Sequence, residues 1–312
     1  MLAETEKLLG TLEVITSNLT GFHETLSGSY ETFFWDVSLQ GNFNLWNLMV
    51  TEEYIQPTNI ESVIQGWLQE EQNRSIAPRD KYLLEEPNPE TFIDEATKPV
   101  RAEKYYLLLQ ILKNNLQQLQ GFSYCLNKSQ SHFYGLIGKF KEDGWIAIST
   151  SMPHRYRFPH WLSASDFDIK IENLYKDLFG IKFEIEKIIE QLPILKFAIP
   201  YPAGYGYTYD YKLCCGVAST KSASLVQAML EAKTLHLRKF QDLSPDYDQY
   251  YYYDDYRRKT QQVLSKFFRQ YFLDVRVYHL TLFDTDHTYI LGQVAGADWL
   301  GVRVSRRYQY NP

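Results

Sequence analysis

Two stretches of the chain carry apolar residues at the three-to-four spacing of an amphipathic helix, one over residues 105–119 and one over 263–272. This spacing places the apolar side chains on one face of a helix. Each stretch is followed by three short, largely apolar runs that short polar turns separate. Such turns favour antiparallel neighbours, because a parallel crossover needs about a dozen residues or more. The pattern therefore predicts a long helix followed by a three-strand antiparallel meander, twice along the chain.

The two stretches also match residue by residue. Matched residues lie 154 positions apart: Tyr124 and Tyr278, Leu136 and Ile290, Gly138 and Gly292, Trp145 and Trp299. Upstream, both share an opening helix (3–18 and 166–191), an aromatic strand-like run (30–37 and 205–213) and a second helical segment (63–68 and 225–230). Chance matching of common apolar patterns is the alternative, but the shared order favours duplication. We expect an α+β fold, a tandem duplication of an α/β sandwich module in which each copy ends in an antiparallel three-strand meander.

This repeat divides the chain into two modules of ordinary domain size, 1–151 and 166–312. Residues 152–165 contain two prolines with mixed basic and aromatic residues, and we interpret them as a linker. In the run Gly144–Thr150, both alternating faces carry apolar residues. This pattern indicates helices on both sides of each sheet.

Composition favours a soluble chain, since 45% of the residues are hydrophobic and no apolar run approaches the length of a membrane span. The first residues lack the basic and apolar regions of a secretory signal, so we expect a cytoplasmic protein without membrane association. The three cysteines are Cys125, Cys214 and Cys215, and their spacing matches no metal motif. We interpret them as reduced thiols.

Charge is distributed unevenly along the chain. Residues 1–150 contain 20 acidic and 11 basic residues, whereas 151–312 contain 18 and 21. An acidic first half disfavours direct nucleic-acid binding and favours a basic protein partner. The simpler alternative is that the acidic surface only confers solubility.

Catalytic motifs are weak. None of the seven histidines forms a zinc-type pair at helical spacing, and Gly-x-Ser-x-Gly does not occur. Gly204 and Gly206 lack the remaining residues of a phosphate-binding loop. We therefore predict neither an enzyme nor a cofactor or metal site. A site between the modules around His154, His160 and 205–209 is a minor alternative.

Residues 244–258 form an unusual segment with six tyrosines and four aspartates ahead of the last long helix. Tyrosine gives a large contact area at low entropic cost and is enriched at binding hot spots. The candidate docking residues are Tyr247, Tyr250, Asp254 and Asp255. The alternative is an ordinary helix start with tyrosines in the core.

Four stretches of the first half, 30–36, 90–97, 104–118 and 144–150, form a pattern through their order and spacing. Through these stretches, residues 5–151 resemble the nuclease A inhibitor family, small cyanobacterial proteins that block a sugar-non-specific nuclease. The resemblance implies an α/β sandwich that plugs a nuclease active site through an acidic residue, a tryptophan before the long helix and the terminal threonine. Here the acidic segment aligns near Glu24 and Glu31, the loop 97–101 has no tryptophan, and the chain continues beyond Thr150.

These observations give two hypotheses about function. The first is a non-enzymatic protein-binding protein, an inhibitor of a nuclease or of another basic nucleic-acid-processing protein, with Glu24, Glu31 and Asp36 as binding residues. The second is a structural or adaptor subunit that docks through residues 244–258. The sequence names no specific partner for either hypothesis.

Overall fold

The computed structural model describes residues 3–17, 19, 30–74, 93, 95–125, 133–141, 144–152, 162–166, 176–198, 208–243, 255–283, 285–294 and 296–307. These residues form helices and antiparallel sheets, which confirms the predicted α+β class. Among them, no helix has the length and apolar character that crossing a membrane requires.

The helices and strands of the described ranges follow one another along the chain. In order they are α1 (Ala3–Ser17), β1 (Tyr30–Trp35), α2 (Val37–Gln40), α3 (Leu45–Thr51), β2 (Ile55–Thr58), α4 (Ile60–Arg74), α5 (Thr97–Asn115), β3 (Gln117–Tyr124), β4 (Tyr134–Phe140) and β5 (Gly144–Thr150). Then come β6 (Leu162–Asp166), α6 (Lys176–Glu190), β7 (Leu195–Ala198), β8 (Thr208–Tyr211), β9 (Leu213–Ala218), α7 (Lys221–Glu231), β10 (Leu235–Leu243), α8 (Asp255–Tyr271), β11 (Val275–Leu282), β12 (Thr285–Gln293) and β13 (Trp299–Arg307).

Two large sheets organise these elements. Sheet A has the strand order β1-β13-β12-β11-β10-β6, and sheet B has the order β2-β3-β4-β5-β9. A separate pair joins β7 to β8. The pairings in both large sheets are antiparallel, and both predicted meanders, β3-β4-β5 and β11-β12-β13, are present.

Helices cover both faces of each large sheet. Buried residues of α4, α5 and α6 pack on one face of sheet B, and those of α1 and α8 pack on one face of sheet A. Between the sheets, α3 and α7 contribute to a central core that both inner faces share. Successive residues of a strand point to opposite faces of the sheet. On β12, Tyr289 and Leu291 therefore belong to the central core, whereas Ile290 belongs to the core beneath α1 and α8.

The two halves of the chain exchange strands. β1, from the first half, pairs with β13, and β9, from the second half, pairs with β5. The predicted boundary at 151 therefore does not separate the sheets into self-contained modules. The predicted linker, 152–165, also contributes most of β6, which pairs with β10 at an edge of sheet A. Local patterns predict strands well, but they carry little information about which strand pairs with which.

The two sheets nevertheless have matching registers. Gly138 lies opposite Ile146, and Gly292 lies opposite Leu300, each 154 residues later. The exchanged strands match as well, because Trp145 lies opposite Ala218 and Trp299 lies opposite Trp35.

The match in the first meander strand is shifted by two residues. Ser123 lies opposite Tyr134, and His279 lies opposite Thr288, so β3 and β11 correspond at a spacing of 156 rather than 154. The match of Tyr124 with Tyr278 is therefore wrong. The reason is that the first hairpin connection is two residues longer than the second, which a fixed sequence offset does not represent.

Three other sequence predictions need correction. α5 ends at Asn115, so Leu119 lies in β3 rather than on the helix face. The opening helix predicted at 166–191 contains α6 (Lys176–Glu190), but Asp166 lies in β6, and residues 167–175 lie outside the described residues. The proposed match of 63–68 with 225–230 pairs helices with different positions, because α4 packs on the outer face of sheet B and α7 lies in the central core.

The structural counterpart of α7 is α3. After α3, Glu53 has a left-handed backbone (φ 57°), and the Tyr54 N–H donates to the Met49 carbonyl at 2.8 Å. After α7, Lys233 has φ 59°, and the Thr234 N–H donates to the Met229 carbonyl at 2.9 Å. The same helix-ending turn thus occurs twice, 180 residues apart.

A glycine allows α7 to approach β9 closely. A Cβ on Gly216 would lie 2.0 Å from the Ser224 carbonyl oxygen and 2.5 Å from the Ala228 nitrogen, both backbone atoms of α7. We expect Gly216→Ala to lower the free energy of unfolding by about 3 kcal/mol, because the helix must move. Gly10→Ala in α1 is the control: nothing lies within 4 Å of its added Cβ, so it should stabilise by about 0.5–1 kcal/mol. Urea unfolding measures both, and equal effects would contradict the close approach.

The strand exchange predicts a single cooperative unfolding transition. Each large sheet loses an edge strand if the other half unfolds, so neither half should persist alone. Far-ultraviolet circular dichroism and tryptophan fluorescence should give superimposable urea curves for the full chain. Two separated transitions would show that the halves are independent.

Candidate functional site

Of the seven predicted binding residues, the structure describes the side chains of Glu31 and Asp36. Asp36 caps α2: its carboxylate accepts hydrogen bonds from the Ser38 N–H at 2.9 Å and the Ser38 hydroxyl at 2.5 Å. The hydrogen bond from the Ser38 hydroxyl is the main cause that lowers the pKa of Asp36. Asp36 therefore has a local role in holding the start of a short helix.

The remaining predicted residues are placed only in part or not at all. Asp255 begins α8, and its side chain lies outside the description. Glu24, Tyr247, Tyr250 and Asp254 lie outside the described residues, as do His154 and His160. Most of the candidate docking segment 244–258 therefore lies outside the described residues.

Glu31 belongs to an ion-pair network across the β1–β13 pairing. Arg303 lies opposite Glu31 in the register and donates to its carboxylate from Nε at 3.0 Å and from Nη2 at 2.5 Å. Arg303 Nη1 also donates to Glu52, in the turn after α3. Burial would lower the pKa of Arg303, but the hydrogen bond with Glu31 and the charge of Glu52 outweigh it and raise that pKa. Glu31 is thus committed to an internal partner.

Next to this network, a cavity of about 250 Å³ lies between the two large sheets, and we call it the seam cavity. Glu52, Glu53 and Tyr54 line it from the turn after α3, and Cys125 lines it from the end of β3. Leu282, Thr285 and His287 line it from the β11–β12 hairpin. The first group comes from the first half of the chain and the second from the other half, so the cavity exists only in the assembled fold.

Aromatic side chains form one wall of the seam cavity. The rings of Tyr54 and His287 lie 4.3 Å apart at an angle of 31°. The Tyr54 hydroxyl hydrogen-bonds to the Tyr289 hydroxyl at 2.6 Å, and His287 Nδ1 hydrogen-bonds to the Ser305 hydroxyl at 2.9 Å. Burial raises the pKa of Tyr54 to about 12 and also raises that of Tyr289. Burial, and then the charge of Arg303, lowers the pKa of His287 to about 4, so this wall is uncharged at neutral pH.

The carboxylates therefore determine the charge of the seam cavity. Glu53 is exposed, and its side chain forms no ion pair with any residue within the described ranges. Burial, followed by the charge of Glu53, raises the pKa of Cys125, so this thiol stays protonated and is a poor nucleophile. Glu31 and Glu52 are paired to Arg303. Together with Glu53, these three carboxylates and one guanidinium carry a formal charge of −2.

A second titratable cluster lies on the outer face of sheet A. His279 Nδ1 hydrogen-bonds to the Thr288 hydroxyl at 2.9 Å, and its Nε2 lies 3.9 Å from an Asp286 oxygen. A hydroxyl, an imidazole and a carboxylate in this order can act as a catalytic triad. These three side chains are at most 3% exposed, however, which denies access to a substrate. Burial, and then the nearby His236, lowers the pKa of His279 to about 3, so its contact with Asp286 is not an ion pair at neutral pH.

A third cluster ties α4 to α5. Arg101 donates to both carboxylate oxygens of Glu71, at 3.0 and 2.7 Å, and to the Pro193 carbonyl at 2.9 Å. The Tyr105 hydroxyl donates to the same carboxylate. Satisfying a buried ion pair with further hydrogen bonds offsets its desolvation cost. We interpret this cluster as structural. Among the described residues, no group of three or more His, Cys, Asp or Glu side chains is arranged to hold a metal ion.

Sequence reasoning missed the residues that make the seam cavity. Glu52, Glu53 and Tyr54 follow a short helix that lacks a strong pattern, and His287 lies more than 230 residues away along the chain. The only local signal was two adjacent acidic residues at the end of an apolar segment. Nothing in that signal indicates which distant strand covers them.

The two buried histidines predict a loss of stability in mild acid. In the folded state the pKa values of His287 and His279 are about 4 and 3, below the ordinary value of 6.5. Between about pH 4 and 6.5 the unfolded chain therefore binds protons that the folded chain excludes, and stability falls as the pH falls. Each histidine should contribute about 1.4 kcal/mol per pH unit.

Urea unfolding at several pH values tests this expectation with His287→Gln. The variant should lose one histidine's contribution to the slope of stability against pH, whatever its stability at pH 7. An unchanged slope between pH 4.5 and 6 would mean that His287 titrates normally in the folded state.

Comparisons of the chain with protein-family models, with curated proteins and with solved structures found no match. Function must therefore be argued from the chemistry of the site itself.

Proposed function

We propose that this chain is a non-enzymatic protein-binding protein that recognises a basic partner through the seam cavity and the carboxylates beside it. The observation that carries the proposal is the exposed Glu53 carboxylate, uncommitted among the described residues, at a cavity whose other wall is uncharged. A concentrated negative charge on a shaped, partly apolar surface favours association with a positively charged protein.

The resemblance to the nuclease A inhibitor family supplies the class of partner: a nuclease or another basic nucleic-acid-processing protein. That resemblance implicates Glu31, but Glu31 forms an internal ion pair with Arg303. The contact we propose is therefore Glu53, which lies close to the Glu31–Arg303–Glu52 network through its neighbour Glu52. The three free cysteines fit a reducing cytoplasm as the location of such a complex.

We also propose that the chain arose by tandem duplication. The matching registers of the two sheets and the repeated turn after α3 and α7 support this origin. In the second copy, Lys233 and Thr234 take the places of Glu53 and Tyr54. The acidic cavity would thus belong to one of the two equivalent positions, and each chain would bind one partner molecule.

The proposal predicts a salt-sensitive complex that depends on Glu53. The immobilised full chain should retain a basic nucleic-acid-processing protein at low ionic strength, because salt screens exposed charges over about 10 Å at 0.1 M. With the purified partner, Glu53→Gln should raise Kd about five- to thirtyfold, as expected for a contact worth about 1–2 kcal/mol. Isothermal titration calorimetry measures the constants.

Glu103→Gln is the matched control, since Glu103 is an exposed residue of α5 and undergoes the same change of charge. It should leave Kd unchanged. The proposal fails if no basic protein is retained at low salt, or if both variants bind the partner equally well.

A further inference from the structure

We propose that the seam cavity is the receptor for one arginine side chain of the partner, whose guanidinium group binds between Glu53 and the Tyr54–His287 wall. This inference rests on the proposed function, since it names the chemical group that the partner presents.

Charge selects a cation. Three carboxylates, Glu31, Glu52 and Glu53, lie at or beside the cavity, and one guanidinium, that of Arg303, offsets one of them. Arg303 binds Glu31 and Glu52, and within the part of the chain that the structure describes the Glu53 carboxylate has no ion-pair partner, so it can receive an incoming group. Hydrogen bonds between a guanidinium and a carboxylate are among the stronger ones in proteins.

Shape selects a planar cation. The Tyr54 and His287 rings stack on one another, with centroids 4.3 Å apart and planes at 31°, and both residues line the cavity, so a planar group can extend the stack. A guanidinium is planar and stacks on aromatic faces, whereas an ammonium is a compact and more strongly hydrated charge. The cavity volume of about 250 Å³ is below the range of about 300–1,000 Å³ for drug-sized ligands, which suits a single side chain.

An imidazole nitrogen is available in the wall. His287 is 8% exposed and lines the cavity, and its Nδ1 hydrogen-bonds to Ser305 at 2.9 Å. Its Nε2 makes no hydrogen bond to the residues that the structure describes. When Nδ1–H donates to the Ser305 hydroxyl, Nε2 presents a lone pair. That lone pair would accept a hydrogen bond from a guanidinium N–H.

The equivalent position in the second half has the opposite character. Lys233 shares the left-handed backbone of Glu53, and Thr234, next to it, replaces the aromatic Tyr54. Thr281 occupies the position equivalent to Cys125. The Cys125 N–H donates to the Tyr54 carbonyl, and the Thr281 N–H donates to the Thr234 carbonyl, each at 2.9 Å. A cation is therefore expected at the first position and not at the second, with one bound group per chain.

Titration of the full chain with Nα-acetyl-arginine amide, followed by nuclear magnetic resonance, tests the inference. We expect saturable binding with one site and a Kd on the order of 1 mM, the strength of a single anchored contact. The Nε2 resonance of His287 should shift as the site fills. The citrulline analogue, which has the same shape without the charge, should bind at least about tenfold more weakly, because it loses the charge-assisted contact.

Variants locate the binding. Glu53→Gln should weaken the arginine probe at least about tenfold, whereas Glu103→Gln should not change it. Equal binding of the arginine and citrulline probes, or equal effects of the two variants, would overturn the inference. So would binding of free arginine without binding of the blocked probe, since that result indicates a metabolite site. Failure to recover a basic protein partner would overturn the proposed function alone. Binding of the arginine probe would still show that the seam cavity receives a guanidinium group.

Discussion

The pairing of β1 with β13, and of β9 with β5, is the constraint on which the rest of the structure depends. These exchanged strands close the edges of both meanders with segments from the opposite half of the chain. Side-chain contacts reinforce them, as in the hydrogen bond from the Val37 N–H to the Asp298 carboxylate at 3.0 Å. The central core contains residues of both sheets together with α3 and α7, so it draws on both halves of the chain.

The candidate site is a direct consequence of this exchange. Arg303 lies on β13, faces Glu31 across the exchanged pairing and also binds Glu52 after α3. The same assembly brings His287 of β12 against Tyr54. Neither half contains the carboxylates and the complete aromatic wall together, so the recognition that we propose for the seam cavity would require the assembled protein.

The three polar clusters differ in how far they are buried, and burial determines which of them a ligand can reach. The His279–Thr288 cluster and the Arg101–Glu71 cluster are almost completely buried, and their hydrogen bonds stabilise sheet A and the α4–α5 contact. The seam cavity combines a buried, neutral aromatic wall with an exposed carboxylate. We propose cation binding for this combination; neither the protonated Cys125 nor the neutral tyrosines supply an activated nucleophile.

The sequence by itself determined most of the local structure. The apolar period predicted α1, α5 and α8 and both meanders, because side-chain burial on one face of a helix or strand is a local, periodic requirement. It misplaced the end of α5, where Leu116 and Leu119 continue the helical spacing although the backbone turns into β3. Only the tertiary structure decided the exchange of β1 and β9, the equivalence of α7 with α3 and the meeting of Glu53, Tyr54 and His287. These features depend on contacts between residues that are far apart in the chain, and such contacts leave little trace in the periodicity of any one segment.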